Sequence, residues 1–480
     1  MRRVKPLVLG GGPAGLAAAW ALHEGGAPVE VVERASSVGG LSKTRVFVEG
    51  DLSFRTDQGP HRFFSKNPEL YRIVEELVGE DWIPVERHTR QYVEGRFYDY
   101  PIDAVQALRN LGVRRATRIM RDYGSARVRY GLLGRPVESF ADHIEASFGR
   151  ALGDFHMIPY TEKIWGLSAS ELHPDWAAQR IKGLDLRTAA WDAFLGFVGN
   201  RGDGARSLID SFYYPRLGTG QIYDNLVARL RDAGHTVSTS CEPTRILHDG
   251  RRVTQVELSD GRTLEPTHVL ESIPIGPMLQ LLDPLPPPEV VRAAGRLSFR
   301  AQVYVFLTLD CERVGPDQWT YFPDPAVPFA RISEMKNFSE AMAPPGKTSL
   351  FVEYFCFPDE PVWSEPDEVL IERTVAELQR LGFLQPEQVR RGYVLKARNV
   401  YPIYDLGYPG RLETVTRWLE GLENLIPIGR PGRFRYNNQD HSLEMGLLGA
   451  KGVLDGTRYD LDAIGSEEAY QEEGEHPEQG

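Results

Sequence analysis

Lys5-Pro6-Leu7-Val8-Leu9-Gly10-Gly11-Gly12-Pro13-Ala14-Gly15 opens the chain with an apolar run too short for a helix and closed by glycines. Such a run predicts a buried parallel strand. The glycines fall in the pattern GxGxxG at Gly10, Gly12 and Gly15. Leu16–His23 is alanine-rich and helical in pattern, and Pro28–Glu33 is a second apolar strand ending in an acid 18 residues beyond Gly15. Each part has a physical reason. Gly10 permits the tight turn, Gly12 lets backbone approach a pyrophosphate, and Gly15 lets the helix pack on the strand. Pro13 and Ala14 begin the helix, whose free N–H groups and dipole favour a negative group. Glu33 is placed to accept hydrogen bonds from an adenosine ribose. Strand, glycine turn, helix, second strand and acid in this order specify dinucleotide binding and an α/β, Rossmann-like fold.

Bulk composition narrows the class. The chain has 480 residues, 41% hydrophobic and 25% charged, as in ordinary globular proteins. Its formal charge of −12 argues against general affinity for nucleic acid. Cys241, Cys311 and Cys356 have neither CxxC nor metal-ligand spacing, so neither a disulfide framework nor a metal site is expected, and a reducing cytoplasm fits. No run approaches 18 uncharged apolar residues, so no transmembrane helix is expected. Ser466–Gly480 holds six Glu and reads as a disordered acidic tail. Asp103–Arg135 carries eight arginines and two aspartates. We read it as a solvated helical face in preference to contact with a membrane surface or a phosphorylated substrate.

After Glu33 come Arg34 and then Val38-Gly39-Gly40-Leu41-Ser42. This second glycine pair resembles the large family of FAD enzymes that includes amine oxidases, protoporphyrinogen oxidase and UDP-galactopyranose mutase. The resemblance implies FAD as cofactor, with Arg34, Gly39, Gly40 and Leu41 along its phosphates and ribityl chain. It also implies an FAD domain assembled from separated segments, here 1–85, 216–290 and 415–460. Gly220–Asp232 reads as an amphipathic helix, followed by Thr236–Ser240, Thr244–Leu247, a hairpin through Asp260-Gly261, and the strand His268–Pro274. Residues 86–215 and 291–414 are left for an inserted mixed α+β substrate domain with a helical part. They include a hairpin over Arg90–Tyr100, strands Gln302–Leu309 and Ser349–Phe355, and the helix Pro366–Leu381.

Five further segments resemble the mutases within that family. Gly59-Pro60-His61 resembles their Gly-Pro-His segment beside the flavin, with Arg62-Phe63-Phe64 replacing the usual Ile-Phe-His. Tyr160-Thr161-Glu162-Lys163-Ile164-Trp165 resembles a segment of the sugar-nucleotide pocket, which implies Tyr160 and Trp165 as substrate binders and Arg180 as a partner further on. Tyr401-Pro402-Ile403 resembles a segment bordering the sugar. Phe329–Lys336 is a weaker match, equally readable as a strand-edge ion pair. The run Gly429-Arg430 through Tyr436, Asn438 and Asp440 follows an apolar strand, Leu425–Ile428, and precedes a helix from about Ser442. By resemblance Gly429, Arg430 and Asn438 meet the FAD, Tyr436 the substrate diphosphate, and Asp440 the substrate.

Two reactions are compatible with these segments. In the mutases, reduced flavin is the nucleophile toward an anomeric carbon, and the sugar ring changes size without net redox change. His61, Arg180, Tyr401 and Tyr436 then carry the site around a nucleotide sugar or other glycosyl substrate. The other reading is a net oxidoreductase, like protoporphyrinogen oxidase or the amine oxidases, in which hydride passes from substrate to FAD. The fold serves both. NAD(P)H as an external reductant is open, since no second dinucleotide motif is found.

Overall fold

A computed structural model of the chain describes residues 4–99, 113–176 and 211–465. Arg180, the beginning of the arginine-rich segment, Tyr100 and the acidic tail lie outside the described residues.

The first strand, Pro6–Leu9, sits at the centre of a five-stranded parallel sheet. Its neighbours are Glu30–Val32 and His268–Glu271, flanked by Thr236–Ser238 and Leu425–Pro427. Residues more than 400 positions apart therefore share one sheet. Strand alternation sends Leu7, Leu9, Val32 and Val269 into one core and Val8, Val31 and Leu270 into another, so both faces are covered. Pro13–Glu24 lies on the second face with Gly220–Asp232 and Gln439–Asp455. A Cβ at Gly446 would meet the backbone of Ala14 and Ala18, so glycine is what lets the first and last helices touch.

A second sheet has seven strands, in the order Val389–Pro402, Phe299–Leu309, Thr348–Cys356, Arg331–Glu334, Trp319–Tyr321, Thr89–Val93, Arg96–Asp99. It joins the early hairpin to the late insertion. Val303, Val305 and Leu307 face one core, Tyr304 and Phe306 the other. The hairpin turns at Glu94 and Gly95, both at positive φ (50° and 78°), as a two-residue turn requires.

Several boundaries differ from expectation: the strand expected over His268–Pro274 ends at Glu271, and the one expected from Gln302 begins at Phe299. The last helix begins at Gln439 rather than near Ser442, because Asn438 caps it. His441 reciprocates, its Nδ1 accepting the Asn438 N–H, and a histidine in that role hides the capping signal. Gly429–Gly432 forms a short helical turn of its own.

Candidate active site

Two glycine loops build the nucleotide cradle. Gly10 has φ +111° and its missing Cβ leaves room for Ser272, while a Cβ on Gly15 would overlap the Gly10 carbonyl. Gly39 N–H donates to the Gly11 carbonyl at 2.8 Å, docking the second loop on the first. Gly40, at φ +56°, faces Gly12, and a Cβ there would lie 3.1 Å from Gly12 Cα. The Glu33 carboxylate accepts the N–H groups of Gly11 and Ala35, each at 2.7 Å, which fixes the turn and leaves lone pairs for ribose hydroxyls. Arg34 points outward, its side chain 82% exposed. Pro13 holds the first position of the helix, Ala14 follows it, and no acid stands in that turn to compete with an anion. A backbone-lined hollow at a helix start, closed by a carboxylate, fits FAD.

Gly59 and His61 extend the cradle toward the second sheet. Gly59 has φ +116°, and a Cβ there would stand 3.5 Å from Glu353 Oε1 and 3.7 Å from Arg331 Nη2. His61 Nε2 donates to the Leu41 carbonyl at 3.0 Å, tying this segment to the second glycine loop. Burial, followed by the cations of Arg430 and Arg331, holds the His61 imidazole down to about 4. It is neutral at pH 7.

Beside His61 stands an aromatic wall. Phe355, Tyr401 and Tyr436 stack in series, at 5.8 Å and 5.3 Å between centroids. The Arg430 guanidinium lies 4.9 Å from the Tyr401 ring and 5.3 Å from the Tyr436 ring, held by the carbonyls of Val400 and Asn437. Trp165 meets Tyr401 and Tyr436 edge-on and packs against Trp176 at 4.4 Å. Its ring is buried, and among the described residues its indole N–H has no partner. Tyr160 packs edge-on to Tyr321 at 5.5 Å, and burial, with Tyr321 and Glu353 near, raises its phenol well above the ordinary range. Helix Ile158–Trp165 presents Tyr160 and Trp165 from one element, and Arg300 secures it by donating to the Ile164 carbonyl at 2.8 Å.

The structure thus gathers His61, Tyr160, Trp165, Tyr401, Arg430 and Tyr436. Gly429 packs against Ala14 under the first helix start. Asp440 is buried in the first turn of the last helix with Glu444 and Arg62 as charged neighbours, and burial pushes its carboxyl up to about 8.

Sequence reading passed over two features. Arg331 and Glu353 are cross-strand neighbours joined by a nearly buried, two-pronged ion pair beside Gly59. The low-weight segment Phe329–Lys336 contains half of it; the other half needed the strand register. Asp57, immediately before Gln58-Gly59, is a buried hub accepting from Thr44 Oγ1 and Tyr214 Oη, both at 2.5 Å, and from Thr219 N–H. Burial raises its carboxyl to about 6. An acid next to a Gly-Pro turn was the available signal.

Among solved structures, a reduced UDP-galactopyranose mutase matches with a TM-score of 0.83 at 23% identity, covering 95% of both chains. A structure titled “Putative protoporphyrinogen oxidase”, from Exiguobacterium sp. 255-15, matches with a TM-score of 0.70 at 16% identity, covering 95% of this chain and 99% of that one. At these identities the likeness is one of fold. Among characterised sequences, a coproporphyrinogen III oxidase of Propionibacterium freudenreichii subsp. freudenreichii is 24% identical, covering 85% of this chain and 83% of its own. No helix among the described residues is long and apolar enough to cross a membrane. A model of flavin containing amine oxidoreductases matches residues 13–398, and the chain belongs to that family as an FAD-dependent enzyme.

Proposed function

We propose that this enzyme acts on a glycosyl substrate, of the nucleotide-sugar type, and changes its ring form with reduced flavin. The observation that carries the reading is the aromatic wall. Tyr401, Tyr436 and Trp165 offer ring faces and edges beside His61, with Arg430 held against both tyrosines. Ring faces suit the C–H surface of a sugar or a nucleobase, and phenol hydroxyls suit phosphate oxygens.

Bound FAD supplies the nucleophilic or hydride-accepting ring. The protein's part is positioning and charge. Gly59, which has no Cβ beside the Arg331–Glu353 pair, would leave room there for the flavin. Neutral His61 donates through Nε2 and holds the Gly59 turn against Leu41. Tyr401 and Tyr436 orient the leaving diphosphate by hydrogen bonding, and the flanking rings exclude water. Arg180 is assigned to the same diphosphate by motif resemblance.

A second reading has a specific support, the match to a coproporphyrinogen III oxidase over most of both chains. A porphyrinogen also presents pyrrole rings that can pack on aromatic side chains. One experiment separates the two. The purified enzyme is reduced with dithionite and given UDP-, GDP- and TDP-sugars without oxygen. Ring-isomerised sugar, formed only with reduced flavin, is the expected product. No sugar product, together with bleaching of oxidised flavin by a porphyrinogen, overturns the glycosyl reading.

A further inference from the structure

Helix Val113–Ala126 and the π-helical turn Arg127–Leu132 continue one another. Along the exposed side, at spacings of three and four, come Arg114, Arg118, Arg121, Ser125, Val128 and Leu132. Cations occupy one end and apolar residues the other. Leu132 and Leu133 are 80% and 72% exposed in a turn between Gly131 and Gly134, with Val128 beside them at 47%. Single exposed leucines need no explanation, but two adjacent ones at the end of an arginine stripe do. Among the described residues Arg114, Arg118 and Arg127 have no carboxylate partner. Residues 113–137 carry seven arginines and one aspartate in a chain of net charge −12.

We propose that this face docks the enzyme on an anionic lipid bilayer. The leucines enter the acyl boundary, and the arginines lie along the headgroups with their stems on the apolar side. Charge fixes the orientation. The rest of this acidic chain is repelled by an anionic surface, so only this face approaches. The face is rigidly tied to the site. The helix packs so closely on the Phe148–Arg150 turn that a Cβ on Gly149 would meet Tyr123 backbone at 2.7 Å. The chain runs from there into the helix carrying Tyr160 and Trp165. The arginine pattern alone reads as a solvated face; the exposure of Leu132 and Leu133 is what shifts the assignment.

The test uses FAD-loaded full-length enzyme and sucrose-loaded vesicles of phosphatidylglycerol with phosphatidylcholine, or of phosphatidylcholine alone. Sedimentation is expected with the anionic vesicles only. It falls several-fold between about 0.1 M and about 1 M salt, where the screening length shrinks from about 10 Å to about 3 Å. L132S/L133S and R118Q/R121Q each lower it several-fold, with flavin absorbance unchanged. Absence of vesicle binding, equal binding to both vesicle types, or binding indifferent to either variant pair overturns the proposal. So does a dimer in solution that L132S/L133S converts to monomer, since the leucines then cover a second copy.

Discussion

Tyr401 and Tyr436 lie with ring centroids 5.3 Å apart and planes only 12° from parallel, though they come from a strand and from a loop 35 positions later. In such a stack the ring and the hydroxyl of Tyr436 make separable contributions. Tyr436→Phe keeps the ring and is expected to leave FAD content and melting temperature unchanged. If the hydroxyl meets a charged diphosphate, its loss costs about 1.5–3 kcal/mol, or roughly ten- to hundred-fold in kcat/KM. Tyr436→Ala additionally removes a stacking term of about 0.5–1.5 kcal/mol and lowers the melting temperature. Unchanged turnover in the phenylalanine variant removes the hydroxyl from the site.

Arg331 and Glu353 are nearly buried as a pair, so losing one partner strands the other. Arg331→Met is expected to destabilise the protein by about 3–5 kcal/mol, measured by urea unfolding of the FAD-loaded enzyme. The double variant Arg331→Met/Glu353→Gln recovers much of that stability, because no bare charge remains. Activity is not recovered if the pair also works beside Gly59. A double variant no more stable than the single one means the pair is not coupled.

His61 offers a pH test with a definite sign. Its imidazole is held at about 4, below the ordinary 6.5, by burial and by Arg430 and Arg331. A depressed folded value means that the unfolded chain binds the proton first. The contribution to stability is present above 6.5 and lost as pH falls toward about 4. The kcat/KM profile should therefore show no limb near 6.5 from this residue. A limb at 6.5 that vanishes in His61→Asn means the imidazole is solvated and titrates normally.

Gly12 and Gly40 show how much of the site was legible. Local rules place the first glycine loop, because tight turns, close approach and helix starts are determined within a few residues, whereas the second, Gly39-Gly40, was read by resemblance. The Arg331–Glu353 pair, the Trp165–Trp176 contact and the Asp57 hub were not legible. Each depends on register or packing between segments far apart in sequence, which residue type does not encode. Tyr401 and Tyr436 were reachable only by resemblance, and their stacking required the fold. Gly40→Ala puts a Cβ at a positive φ and 3.1 Å from Gly12 Cα, and should yield protein with little bound flavin but an otherwise folded second sheet. Normal flavin absorbance in that variant contradicts the cradle.

Glu271 ends the strand His268–Glu271, paired with Leu9 of the central strand, fully buried, with Oε2 accepting the Ile273 N–H at 2.8 Å and Oε1 without a partner among the described residues. Burial pushes its carboxyl from the ordinary 4.5 up to about 8. The folded state therefore holds this proton where the unfolded chain has released it. The resulting stability is fully present below 4.5 and is lost as pH rises through about 8. Glu271→Gln keeps the shape and removes the titration. It should melt like the parent near pH 4 and increasingly above it from there to pH 9, in thermal scans of the FAD-loaded enzyme. Because Ile428 N–H binds the Glu271 carbonyl just before the Gly429–Arg430 turn, ionisation of Glu271 should also loosen FAD at high pH. Faster flavin release at pH 9 in the parent, slowed in Glu271→Gln, is the expected result; equal release rates at both pH values disconnect this carboxyl from the cofactor site.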